Sequence, residues 1–107
     1  MDMNDYQTQA LVTAIDEGHE LMQRSLGIVG EAGEIAEKLK KWYRDQNGEE
    51  SRLDKDALAA ELGDVLWYVA ALADHLGYKL GDIAKQNIQK LADRQNRNKL
   101  TGSGDYR

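Results

Sequence analysis

The chain has 107 residues, with 14 Lys and Arg against 19 Asp and Glu, two His, and no Cys, Pro or Phe; this length predicts one domain over residues 1–107 with a modest, aliphatic, Ala-rich core. The missing Cys exclude a disulfide framework, a thiolate metal site and a Cys nucleophile, and a formal net charge of −5 argues against a generic nucleic-acid binder. No apolar run is long enough to span a membrane, and the polar, acidic residues 1–10 do not read as a signal peptide, so the expected setting is the cytoplasm.

Nothing interrupts long helices, because Pro is absent, and Ala, Leu, Glu, Lys and Gln favour them. The β-branched residues never alternate with polar ones over a strand's length. The fold class is therefore all-α, with four predicted helices. The first covers about residues 4–15, with Asn4 as cap and Gln7 in the capping-box position; Asp16, Glu17 and Gly18 break it. The second covers about residues 19–44, with Leu26, Val29, Ala32, Ile35, Ala36 and Leu39 at helical spacing. A polar loop around Gly48 follows. The third begins near Asp54 and ends before Gly77, a natural C-terminal cap; Leu58, Leu62, Val65, Val69, Leu72 and Leu76 form its apolar stripe. The fourth covers residues 80–96, with Leu80, Ile83, Ala84, Ile88 and Leu91 expected inward. The Gly-rich end, about residues 98–107, is expected to be a flexible tail. Four Gly fall within predicted helices, at 27, 30, 33 and 63, each costing up to about 1 kcal/mol against Ala. Either the second helix starts after Gly27, or these positions let two backbones approach closely. Gly33 and Gly63 sit inside acidic pairs, which favours close approach there.

The acidic pairs are Glu31 with Glu34 in GIVGEAGEIAEKLKKW, and Glu61 with Asp64 in AAELGDVLWYVAALA. A spacing of three puts both members on one helical face, and the intervening segment is long enough for the two helices to run antiparallel with the pairs facing. Glu61 and Asp64 border apolar residues, so they are expected to be partly buried. Four such carboxylates cannot all stay ionised without cations, and hard divalent ions with oxygen ligands, Mg²⁺ first, fit them. A single acidic pair is common on a solvated helix; two pairs, each interrupted by Gly on an amphipathic helix, favour a site. Glu37 either extends this face or pairs with Lys41 on the surface. A di-iron bundle needs Glu-x-x-His on two helices; His19 and His75 do not provide it and read as surface or capping residues.

Asn87, Lys90, Arg94 and Arg97 share one polar stripe of the fourth helix. Near a helix C-terminus this composition is favoured by the macrodipole alone; beside a Mg²⁺ cluster it becomes a clamp for a phosphate chain. Two aromatic pairs, Trp42 with Tyr43 and Trp67 with Tyr68, read first as core or interface anchors and second as a platform for a nucleobase. The third helix is apolar nearly all round, which one chain of this size cannot cover, and this predicts a homo-oligomer.

The runs GIVGEAGEIAEKLKKW, ELGDVLWYVAALAD and NIQKLADR resemble the MazG-like nucleoside triphosphate pyrophosphohydrolases of the all-α NTP pyrophosphatase superfamily, over about residue 26 to the end. The resemblance implies a four-helix bundle completed by oligomerisation into a homodimer or homotetramer, with sites at subunit boundaries. It implies a Mg²⁺-dependent enzyme, with Mn²⁺ as a substitute, that hydrolyses a nucleoside triphosphate between the α and β phosphates. Carried over, Glu31, Glu34, Glu61 and Asp64 would be metal ligands, and Asn87, Lys90 and Arg94 phosphate or sugar contacts. The ending GSGDYR is similar to tails that fold over the site. Glu34 or Glu31 would take the proton of the attacking water, a choice the residues leave open. Two other readings stand beside this one: a phosphoribosyl-ATP pyrophosphohydrolase of the same fold, and a non-catalytic helical module for binding or oligomerisation.

Overall fold

In the computed structural model, which describes residues 1–107, four helices form and no strand: α1 (Met3–Ala10), α2 (Glu20–Gln46), α3 (Lys55–His75) and α4 (Leu80–Asn96). Single 3₁₀ turns follow α1 at Leu11–Thr13 and precede α3 at Glu50–Arg52.

The α2–α3 hairpin is the main packing unit. α2 runs unbroken through Gly27, Gly30 and Gly33 and ends on Asn47, whose left-handed φ of 55° turns the chain. The connecting loop is pinned by the Trp42 indole N–H, which donates to the Glu49 carbonyl at 2.8 Å. Asp54 then caps α3, its Oδ1 accepting from Ala57 N at 3.0 Å. α3 closes in a Schellman motif, with Tyr78 N donating to Ala73 O and Gly77 N to Asp74 O. The φ of +84° at Gly77 is the left-handed conformation that makes glycine the expected residue there.

Helix α1 is built differently from the expectation. Asp2 is its cap and shares a capping box with Asp5. Asn4 and Gln7 sit inside the helix and serve α4 instead. The Gln7 amide is buried; its Nε2 donates to the Ala70 and Tyr78 carbonyls, both at 3.1 Å, and its Oε1 accepts from Leu80 N at 2.9 Å. Asn4 Oδ1 accepts from Gly81 N at 2.8 Å. No side chain of Lys79 caps α4, so two residues of α1 satisfy N–H groups that a helix start otherwise leaves bare. The same contacts tie α1, α3 and α4 into one corner.

Two expectations about packing are corrected. Gly27 does mark a close contact, since a Cβ there would strike the Tyr68 ring, but what approaches is a side chain, not a backbone. Gly33 and Gly63 do not mark close approach: a Cβ at either meets nothing within 4 Å, because both lie on faces that the chain leaves open. The predicted apolar stripes are also only partly covered. The buried apolar residues are Ala70, Ala71, Ala73 and Leu80, while Leu62 on α3 and Ile88 on α4 are 59% and 66% exposed. A radius of gyration of 16.8 Å, against about 13 Å for a compact domain of this length, has the same cause: an elongated hairpin with α1 and α4 gathered at one end.

Replacing Gln7 with Ala removes three hydrogen bonds and strands the Leu80 N–H, and should cost about 2–3 kcal/mol. Thermal unfolding followed by circular dichroism reads this directly, and an unchanged midpoint would contradict the role given to the amide.

Candidate active site

On α2, Arg24, Gly27 and Glu31 recur at spacings of three and four, so they share the face turned to α3. On α3, Glu61, Asp64 and Tyr68 do the same. Packing the two helices brings Glu31, Glu61 and Asp64 together: each offers a carboxylate oxygen, and the three atoms lie within 4.8 Å of one another. Glu31 and Glu61 are half-buried and Asp64 is exposed, so the cluster opens to solvent on one side. Burial, then a carboxyl–carboxyl hydrogen bond with Glu61, then the charges of Asp64, Glu61 and Glu34 push the Glu31 carboxyl above its ordinary value. One cation stands at the edge, Lys38, with Nζ 3.7 Å from Glu61 Oε1.

Glu34 lies one turn beyond Glu31, exposed, and outside the three-oxygen group. It is near enough for its charge to act on Glu31. Glu37 belongs to the surface: it pairs with Lys40 at 3.4 Å and Lys41 at 3.7 Å. His19 and His75 are exposed helix-terminal residues.

The basic stripe of α4 meets a carboxylate of its own chain. α4 ends on Asn98, φ 57°, with Lys99 N donating to Arg94 O at 2.7 Å. The chain then turns back through Gly102 and Gly104, and the Arg107 guanidinium donates to the Lys99, Leu100 and Gly104 carbonyls. This fold delivers Asp105 to the stripe. Lys90 Nζ donates to Asp105 Oδ1 at 3.0 Å, and the buried Arg94 donates through Nη2 to the Asp105 carbonyl at 2.7 Å and to Oδ1 at 3.4 Å. Asn87 is exposed on the same helix. Lys90 and Arg94 thus converge on one anionic group, which is the geometry a phosphate oxygen also satisfies. Sequence reasoning missed Asp105 as their partner.

The MazG nucleotide pyrophosphohydrolase domain is the family whose model matches residues 17–98. The chain belongs to this family. The match takes in α2, α3 and α4 and leaves α1 outside. The chain is also similar to the Gene 37 protein of Mycobacterium phage L5, 44% identical over 114 residues, an alignment covering 100% of both chains. No solved structure matches. Membership in this family supports a hydrolase acting on nucleotides. No helix is long and apolar enough to cross a membrane.

Two outcomes follow from this geometry. Glu31→Gln removes a repelled charge, so in EDTA at neutral pH the variant should melt a few degrees higher than the parent chain. The Asp105 carboxyl is held below its ordinary value of 3.8, first by the hydrogen bond from Lys90. A depressed acid stabilises the folded tail above the ordinary range and loses that effect as pH falls through the lowered value. The tail should therefore stay closed over Lys90 and Arg94 at neutral pH, open in acid, and open at neutral pH in Asp105→Asn, which limited proteolysis reads as faster cleavage within residues 99–107.

Proposed function

We propose that this single-domain chain is a Mg²⁺-dependent nucleoside triphosphate pyrophosphohydrolase, working in the cytoplasm, that cleaves its substrate between the α and β phosphates. The products are a nucleoside monophosphate and pyrophosphate. The observation that carries this reading is the convergence of Glu31, Glu61 and Asp64 across the hairpin.

Their donor chemistry fits the ion. All three are hard oxygen ligands, and oxygens on opposite sides of one Mg²⁺ stand about 4 Å apart, within the spread of this group. Glu31, Glu61 and Asp64 would hold the metal, with Glu34 completing or flanking the set. When bound, the ion supplies charge neutralisation for the phosphate chain. The rest of the chemistry falls to the protein. Hydrolysis adds water across the bridge between the α and β phosphorus atoms, and one proton of that water needs an acceptor. Glu34, exposed and not drawn into the cluster, and Glu31, at the cluster itself, are the two carboxylates on α2 placed to take it. Lys90 and Arg94 would take the anionic phosphate in place of Asp105, with Asn87 contributing a neutral hydrogen bond. An acidic chain binding an anion is consistent, because a divalent cation reverses the local field.

The open apolar surface supports self-association. Leu26 and Val29 on α2, Leu62 and Leu66 on α3, and Ile88 on α4 are all exposed, more large apolar side chains than a chain of this size leaves bare without a partner. We propose a homodimer, or a homotetramer built from two dimers, in which a second copy covers them and adds its residues to the substrate cleft.

The test is a turnover panel of each dNTP and NTP with Mg²⁺, scoring pyrophosphate against orthophosphate, with EDTA as control. Pyrophosphate and monophosphate, lost in EDTA, are expected. Asp64→Asn and Glu34→Gln should reduce turnover by about 10²–10⁴-fold while helicity by circular dichroism is kept. Full activity in either variant contradicts its assignment, and release of orthophosphate contradicts the reaction.

A further inference from the structure

A cavity of about 480 Å³ lies between the start of α2, the 3₁₀ turn after α1 and the middle of α3, its border including Arg24, Ile15, Trp67 and Tyr68 together with Glu17, whose carboxylate accepts from Gln23 Nε2 at 3.1 Å. Its walls are held in place. The Trp67 indole N–H donates to Ala10 O at 3.0 Å and to Thr13 Oγ1 at 3.1 Å. Tyr68 meets Trp67 edge to face, with ring centroids 5.0 Å apart, and is seated against Gly27, the one helical glycine where a Cβ has no room beside an aromatic ring.

Arg24 is the anomaly in this wall. Its side chain is 8% exposed, and its only ion pair is a long one, 3.6 Å to Asp16, a residue itself 87% exposed. Its Nε has no hydrogen-bond partner although it is fully buried. Arginine carries five N–H donors in a fixed fork, and leaving a buried one unpaired is costly. Such a group points to an acceptor that the chain itself does not supply.

The position of the cavity defines that acceptor. Arg24 lies seven residues before Glu31 on the same face of α2, two turns or about 10 Å away. Tyr68 lies one turn beyond Asp64 on α3. The cavity therefore lies along the same hairpin as the carboxylate cluster, displaced from it in one direction on both helices. A ligand with its phosphates at the cluster and a planar group two turns away is a nucleotide. Aromatic walls suit the faces of the base, and a guanidinium fork suits a carbonyl oxygen on its edge.

We propose that this cavity is the nucleobase pocket and that Arg24 is its specificity-determining residue, selecting bases that carry a ring carbonyl over adenine. The inference rests on the nucleoside triphosphate reading above and names the part of the substrate that reading leaves open.

Two measurements on the full chain test it. In the first, kcat/KM is determined for dATP, dGTP, dCTP and dTTP with Mg²⁺, for the parent chain and for Arg24→Gln and Arg24→Lys. At least one carbonyl-bearing base should outrank dATP. Arg24→Gln should lower kcat/KM for that base by about tenfold or more, through KM, while dATP changes little. Arg24→Lys keeps the charge but not the fork, and should lose the preference too. Equal losses on all four bases, or no preference in the parent chain, would overturn the proposal. The second measurement needs no turnover: quenching of tryptophan fluorescence by dGMP, dCMP, dTMP and dAMP, repeated on Trp67→Phe to assign the signal. Arg24-dependent binding without hydrolysis would keep the pocket and refute the pyrophosphohydrolase reading. Hydrolysis with a base ranking indifferent to Arg24 would do the reverse. Should Arg24→Gln fail to fold, Arg24→Lys and the parent titrations decide the matter.

Discussion

Three carboxylates drawn into one half-buried volume repel one another, and the architecture around them makes sense as the means of holding them there. Glu31 comes from α2, and Glu61 and Asp64 from α3, so the cluster exists only while the hairpin is closed. The chain provides one nearby cation, Lys38, on the edge of the group. The remaining charge is uncompensated and raises the proton affinity of Glu31. A fold that carries such a repulsion has its counter-charge outside the polypeptide, and hard oxygen donors at this spacing are suited to a small divalent cation.

The hairpin in turn depends on a small corner of packing. Burial is concentrated at Ala70, Ala71, Ala73 and Leu80, where α3 and α4 meet α1, and Gln7 joins the three helices there by hydrogen bonds rather than by apolar area. The far half of the hairpin, with Leu62 and Val29, has no such cover within the chain. That asymmetry is compatible with an interface between copies, since a helix that is apolar on most sides is stable only when surrounded.

Anion recognition divides between two regions. On α4, Lys90 and Arg94 converge on Asp105, so the tail holds the two cations in the arrangement a phosphate would need, and a bound phosphate would have to take the carboxylate's place. On α2, Arg24 lacks a partner for its Nε beside rigid aromatic walls.

Much was legible from residue types and spacing alone: the all-α class, four helices, the start of α3 near Asp54 and its end at Gly77, and the two acidic pairs on neighbouring helices. Those features are local or follow from helical periodicity, which is a property of the sequence itself. Tertiary structure decided what depends on distance. It separated Glu34 from the other three carboxylates, because Glu34 stays exposed on α2 while Glu31 is drawn half-buried against α3. It turned Asn4 and Gln7 from caps of their own helix into partners of α4, because the N–H groups at Leu80 and Gly81 had no nearer acceptor. It left Gly33 and Gly63 facing open space, where spacing alone suggested contact. It also brought Asp105 back onto Lys90 and Arg94, a contact between residues 11 and 15 positions apart that only the turn through Asn98, Gly102 and Gly104 makes possible.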